Sequence, residues 1–228
     1  MSALETVKSF IRSRSPRTVA LYSGMRKALV RPSLTKVFSE IYQTNSWQDP
    51  ESVSGRGSTL ARTQIIMSHL PVLLQELGTQ TLLDAACGDF NWMRYTELSG
   101  ISYTGVDVVP DLISSNRRLY ETPHRRFLVL DITKDRLPRA DAILCRDCLI
   151  HLCFTRIQTT IANFKRSGAI YLLCTTHDGL QENNDCPDGS WRSVNLELSP
   201  FNFPPPLKQI VEDQELRKCL GVWRLRDL

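Results

Sequence analysis

The apolar residues of this chain change period several times, and each change marks a predicted element. Residues 60–77 place Ile65, Ile66, Leu70, Leu73, Leu74 and Leu77 on one side of a 3.6-residue repeat, a core-facing helix. Residues 81–86 form a short apolar run around Asp84, a buried strand. The run breaks at Cys87-Gly88, and Phe90, Met93 and Leu98 then stand at helical spacing. A second strand is predicted over 103–109, and Pro110 opens a helix to Tyr120. Strands follow at 126–132 and 140–145, then a helix at 154–165 and a fifth strand at 169–177. The polar loop 178–190 is too long for a simple turn and suits a lid. Beyond it the pattern predicts a sixth strand over 191–198, a short helix over 207–216 and a last strand over 219–225.

The sharpest chemistry lies where the first predicted strand gives way to its turn. A glycine there lets backbone approach a ligand, and the start of a helix favours anionic groups. Asp107 follows Gly88 by nineteen residues, at the end of the second strand. An acidic residue about 20 residues past such a turn is the arrangement that grips a ribose diol in nucleotide-binding α/β folds. A dinucleotide site would need Gly-x-Gly-x-x-Gly, and Gly88 is the one glycine present.

Leu83-Asp84-Ala85-Ala86-Cys87-Gly88-Asp89, then Gly105-Val106-Asp107, then Val129-Leu130-Asp131-Ile132, resembles the first three motifs of class I S-adenosylmethionine-dependent methyltransferases. The likeness spans residues 50–228 in element order, and the motifs occupy 83–93, 103–109, 127–133 and 141–152. It implies an α/β fold, a Rossmann-like three-layer sandwich with a mostly parallel seven-stranded sheet and an antiparallel edge hairpin. It also implies S-adenosyl-L-methionine as cofactor. Asp84, Ala86, Cys87 and Gly88 are then expected near its methionine part, Asp107 on the ribose hydroxyls, and Asp131 and Ile132 beside the adenine. The sequence departs from the family at the outer two glycines of the first motif, where Ala86 and Phe90 stand. In such a fold the segment before the first strand covers the cofactor, so Arg56 and Ser58 are candidates for its carboxylate. The competing reading is a plain connector.

Charge divides the chain. Residues 1–40 carry eight basic and two acidic side chains, so the remainder of a chain of net charge +4 is slightly acidic. Val7, Phe10 and Ile11, then Val19, Leu21, Met25 and Leu29, suggest two short amphipathic helices broken at Pro16 and Pro32. We therefore expect a basic helical appendage over 1–44 and the methyltransferase-like domain over 45–228. The appendage either contacts an anionic membrane or polymer peripherally, or packs its apolar face on the domain. Neither a membrane-length apolar run nor a signal-peptide pattern is present, and seven cysteines fit free thiols in a cytoplasmic setting. Cys145 and Cys148 have the spacing of a metal pair, but no second pair follows, so no metal site is expected.

Methyl transfer from a sulfonium is an in-line displacement that rewards positioning and exclusion of water. A hydroxyl acceptor adds a need for a base with a pKa near neutrality. Asp147 and His151 follow the fourth strand and His177 the fifth, with His177 the first choice and His151 the second. Arg146 could bind an anionic group of cofactor or acceptor, or form an ion pair with Asp147 or Asp131. The signature of exocyclic-amine methylation is absent after the fourth strand, and no basic stretch carries interleaved aromatics, which argues against nucleic acid. A lid rich in Asn, Asp and Ser, with Trp191 and Trp47 nearby, suits a small hydroxylated acceptor such as a sugar or glycan. Protein methylation and a regulatory module that binds the cofactor without turnover are the other readings. The sequence sets no oligomeric state.

Overall fold

The structure, a computed structural model, describes residues 31–228. Strands β1 (Thr81–Ala85), β2 (Ser102–Asp107), β3 (Arg125–Val129), β4 (Ala142–Cys145) and β5 (Tyr171–His177) are parallel, and β6 (Lys208–Asp213) and β7 (Lys218–Arg224) are antiparallel. They form one sheet in the order β3-β2-β1-β4-β5-β7-β6. Alternation along β1 sends Leu82 to one face and Leu83 to the other. Leu82 joins a core with Ile66, Leu70 and Leu74 of α2 (Leu60–Glu76) and Ile113 of α3 (Pro110–Tyr120). Leu83 joins a second core with Ile157 and Phe164 of α4 (Phe154–Arg166). The three layers are thus helix, sheet and helix. At the amino ends of the strands, Asp141 Oδ2 accepts hydrogen bonds from the amides of Gln80 and Thr81 and from the Thr81 hydroxyl, tying β1 to β4.

From β1 the chain steps outward to β2 and β3, then returns to place β4 on β1's other side. This reversal opens a crevice beyond the carboxyl ends of β1 and β4, where open α/β sheets bind ligands. Helix α1 (Leu34–Thr44) lies in the same compact unit as the sheet, Leu34–Leu228, with Leu34 buried in the core and the Phe38 ring edge-on to Trp47 at 6.5 Å. The expected appendage over 1–44 thus overlaps this unit by the eleven residues of α1. The helices expected over 7–11 and 19–29 lie outside the described residues.

Three elements differ from the sequence expectation. No helix follows the Gly88 turn; a single 3-10 turn, Met93–Tyr95, stands there. Phe90 takes a left-handed φ of 60° and inserts its ring among Tyr103, Tyr120 and Phe127, with centroids 5.2 to 5.3 Å apart. Core packing overrides the helical spacing, and the helix N-terminus expected to favour anions is missing. Residues 191–198 form no strand, because their backbone is held by the end of β5 rather than by a ladder. The Val194 carbonyl accepts from the His177 amide at 2.7 Å, and the Leu196 amide donates to the Thr176 hydroxyl at 3.1 Å. The helix expected over 207–216 is instead edge strand β6, which turns Ile210 and Glu212 inward and leaves Val211 exposed. Its inward carboxylate hid the period-2 pattern. The total of seven strands and the antiparallel edge stand as expected.

Candidate functional site

The crevice holds two adjoining cavities. The first encloses about 870 Å3, part of it open to solvent, over the ends of β1, β2 and β3. Its floor is the turn Ala86, Cys87 and Gly88, and Val108, Leu130, Ile132 and Leu152 supply apolar walls. Gly88 has a φ of 55°, and a Cβ on it would lie 2.3 Å from the Ser54 hydroxyl. That contact comes from the segment before α2, which folds over the turn. Ser54 Oγ accepts from the Asp89 amide at 2.8 Å, and the Ser52 hydroxyl donates to Asp89 Oδ2 at 2.7 Å.

Asp107 ends β2 at the wall of this cavity. Its Oδ2 accepts from the Gly88 amide at 3.2 Å and its Oδ1 from the Val109 amide at 3.1 Å. Among the described residues no cation is paired with it. Burial therefore pushes its pKa up to about 6, against the restraint of those amides. Asp84 lies beneath the floor, outside the cavity lining, where it accepts from the Tyr103 hydroxyl at 2.6 Å. Burial raises its pKa to about 7, opposed by that bond and by Arg146. Asp131 lines the cavity with its carboxylate already engaged. Against the cost of burial, the Thr133 hydroxyl and amide and Lys134 hold its pKa below the ordinary value.

The second cavity, about 1070 Å3 and likewise partly open to solvent, lies beyond the ends of β4 and β5 and is bounded by β6 and β7. Its base is an ion network. Arg146 contacts Glu212 at 2.7 Å and Asp147 at 3.2 Å, and Lys218 pairs with Asp147 and with Glu212 at 3.4 Å. The Arg146 Nη1 also donates to the Gly57 carbonyl at 3.0 Å, and its guanidinium lies over the Trp92 ring. Asp147 adopts a left-handed φ of 50° while its amide donates to the Thr175 hydroxyl at 2.8 Å. Burial alone would raise its pKa, but Arg146 and Lys218 hold it down at about 2. Trp47, Ser54, Asp147 and His151 border both cavities.

His151 stands at that junction on a 3-10 turn, Leu149–His151, stacked on Trp47 at 4.9 Å. Its Nδ1 lies 2.9 Å from the Ser190 carbonyl, which can only accept, so the proton is on Nδ1 and Nε2 keeps its lone pair. Burial lowers its pKa, so the ring is neutral at neutral pH. His177 lines the second cavity alone. Its Nδ1 sits 3.3 Å from both the amide and the carbonyl of Val194, and burial lowers its pKa as well.

The expected site residues therefore separate. Ala86, Cys87, Gly88, Asp107, Asp131, Ile132 and Arg146 meet at the first cavity with Asp147 and His151. Arg56 lines the second cavity, and Ser58 lines neither. The turn Arg56–Ser58 is tied to the loop after Gly88, with the Ser58 carbonyl accepting from the Asn91 side chain. Asp178, next in the chain after His177, accepts from Arg217 at 2.6 Å. Arg146 pairs with Asp147 as one expectation had it, and with Glu212 rather than Asp131. The sequence reading missed Ser54, Glu212 and Lys218. Ser54 sat in a hydroxyl-rich loop whose contact partner is 35 residues away. Glu212 and Lys218 lay on strands whose pairing no local pattern announced.

No family model matches this sequence, and no curated protein is detectably similar to it. Solved structures are similar in fold. One is 1,6-didemethyltoxoflavin-N1-methyltransferase of Burkholderia thailandensis, with bound 1,6-didemethyltoxoflavin and S-adenosylhomocysteine, at 17% identity and TM-score 0.58 over 83% of this chain and 87% of that one. Another is magnesium protoporphyrin IX methyltransferase of Synechocystis PCC 6803 with bound S-adenosylmethionine, at 10% identity and TM-score 0.58 over 85% and 96%. A third is the N-methyltransferase NodS of Bradyrhizobium japonicum WM9 in complex with S-adenosylhomocysteine, at 17% identity and TM-score 0.57 over 80% and 97%. The chain thus has the class I S-adenosylmethionine-dependent methyltransferase fold.

Proposed function

We propose that this chain transfers the methyl group of S-adenosylmethionine to a hydroxyl of a small polar acceptor, sugar- or glycan-like. The observation that carries the reading is Asp107, a buried carboxylate without a cation at the switch point of this fold. Each oxygen takes one backbone amide and has capacity left on the cavity side. The two ribose hydroxyls of the cofactor fit that capacity, and the apolar walls of Val108, Leu130, Ile132 and Leu152 fit a flat base. Ala86, Cys87 and Gly88 then border its methionine part. When bound, S-adenosylmethionine supplies an electrophilic methyl carried on a sulfonium.

Acceptor and cofactor meet, on this reading, at the junction of the two cavities. His151 is there, neutral, with the lone pair of Nε2 unengaged, and it takes the hydroxyl proton. Asp147 has no such role, because a carboxylate held near pKa 2 by Arg146 and Lys218 is a weak base. It keeps the junction in shape and favours the imidazolium that forms. His177 becomes a wall of the acceptor cavity rather than the base. Calorimetric titration with S-adenosylmethionine and S-adenosylhomocysteine tests the cofactor. Formation of S-adenosylhomocysteine with a pool of hydroxylated acceptors then tests turnover. Saturable binding with no product from any acceptor would leave a binding module instead.

A further inference from the structure

Glu212 is buried, 7% exposed, and lines the second cavity from edge strand β6. Its contacts all end on one oxygen. Oε2 accepts a hydrogen bond from Arg146 Nε at 2.8 Å and lies at ion-pair distance from Arg146 Nη2 at 2.7 Å and Lys218 at 3.4 Å. Oε1 is buried and has no hydrogen-bond partner among the described residues. A buried carboxylate oxygen without a donor is costly, and native proteins rarely leave one so. The oxygen therefore calls for a donor brought from outside the chain.

The surroundings decide what kind of donor. Arg146 and Lys218 balance Asp147 and Glu212 charge for charge, and Arg56 adds a further cation to the lining. A cavity with that balance has no attraction for an ammonium group, so a neutral hydroxyl is the fitting donor. Trp47 and Trp191 supply broad apolar walls, Trp191 being 55% exposed and edge-on to His177 at 6.5 Å. Aromatic walls in a cavity that a buried carboxylate also lines suit a ring with apolar C–H faces and equatorial hydroxyls.

Resting on the methyl-transfer reading for its place in the reaction, we infer that Glu212 Oε1 receives a second hydroxyl of the acceptor, one that is not methylated. The acceptor is then a polyol ring such as a pyranose, and a simple alcohol is a poor substrate. Glu212 acts as a specificity residue that touches the acceptor. The substitution Glu212→Gln is informative because Arg146 and Lys218 require the amide oxygen to face them. Its NH2 group then takes the place of Oε1, so a donor replaces an acceptor.

The test titrates the full chain, with and without S-adenosylhomocysteine, with methyl glycosides of glucose, galactose and mannose, their monodeoxy analogues, and cyclohexanol. Saturation-transfer NMR reads each binding. At least one glycoside should bind better than cyclohexanol by tenfold or more. One of its monodeoxy analogues should lose about tenfold, the cost of one good hydrogen bond, about 1.4 kcal/mol. Glu212→Gln and Trp191→Ala should each weaken that glycoside about tenfold and leave S-adenosylhomocysteine affinity within twofold. Cyclohexanol binding as tightly as every glycoside overturns the inference, as does Glu212→Gln with unchanged glycoside affinity. If Glu212→Gln does not fold, the deoxy series on the natural chain and Trp191→Ala decide. Glycoside binding that depends on Glu212, in a protein that ignores S-adenosylhomocysteine, sinks the methyl-transfer reading and keeps this one. S-adenosylhomocysteine binding with no glycoside binding does the reverse.

Discussion

The two buried carboxylates Asp107 and Asp147 are held in opposite ways. At the first cavity Asp107, and Asp84 beneath its floor, form no ion pair among the described residues, and burial raises their pKa values to about 6 and about 7. Asp131 beside them is held low, against its burial, by Thr133 and Lys134. On the second side Asp147 sits between Arg146 and Lys218 and falls to about 2. A carboxylate kept apart from cations holds bonding capacity for a neutral ligand rich in donors, such as a ribose diol. One already locked in ion pairs contributes shape and field. Glu212 combines the two, with one oxygen engaged and the other buried without a hydrogen-bond partner among the described residues.

His151 provides the largest test of that division, because it stands where the two sides meet. His151→Ala should leave cofactor affinity nearly unchanged and lower turnover by roughly 10²–10⁴-fold, the usual worth of a general base. His177→Ala should cost turnover far less. Equal losses in steady-state kinetics would return the base to His177, and no loss in either would mean positioning alone suffices. Removing the cation at the centre of the network comes next. Arg146→Ala leaves Asp147 and Glu212 buried without their main partner, and should destabilise the fold by about 3–5 kcal/mol. Thermal or urea unfolding reads this directly, and a change under about 1 kcal/mol would show that water screens the network.

These predictions also mark how far the sequence could be read. The parallel core was legible because β1, β2, β4 and β5 are buried on both faces and read as short apolar runs between turns. Gly88 and Asp107 were legible too, since one sits in the turn after β1 and the other ends β2, adjacent parallel strands joined by one crossover. Segment 90–98 was misread because Phe90 answers to three aromatic rings rather than to its helical neighbours. The lining of the second cavity was mostly hidden. Asp147 and Lys218 are 71 residues apart in the chain, and Glu212 breaks the apolar alternation of its own strand. Pairings at that range leave no local trace.

Gly88 should give a smaller but clear effect. With a φ of 55° and the Ser54 hydroxyl 2.3 Å from the position of a Cβ, Gly88→Ala strains the turn and pushes the covering segment away. It should cost about 1–2 kcal/mol of stability, from the left-handed backbone and the displaced contact together, and should weaken cofactor binding. An alanine variant with unchanged melting and affinity would show that the covering segment yields freely.

The pH response is subtler, and its sign differs between the two sides. Asp107 and Asp84 have pKa values raised above those of the unfolded chain, so their contribution to stability is full below about pH 4 and is lost as pH rises through about 6 to 7. Asp147 has a lowered value, so its contribution is present above about pH 4 and is lost as pH falls towards 2. The contribution of these two carboxylates to the melting temperature of the ligand-free protein should therefore decline between about pH 4 and 7, and Asp107→Asn should flatten that part of the profile. Asp147→Asn should leave this slope alone and flatten the acid limb below pH 4. An unchanged slope in Asp107→Asn would mean that the carboxylate is solvated.

The most direct measurement is calorimetric titration of the natural chain and of Asp107→Ala with S-adenosylhomocysteine. The account predicts one-to-one binding by the natural chain, weakening as pH falls below about 6 and Asp107 takes up its proton. It predicts a loss of about 1–3 kcal/mol in a folded Asp107→Ala, the cost of removing charge-assisted hydrogen bonds to the ribose. Equal affinity in the two proteins, or no binding by the natural chain at all, would contradict it.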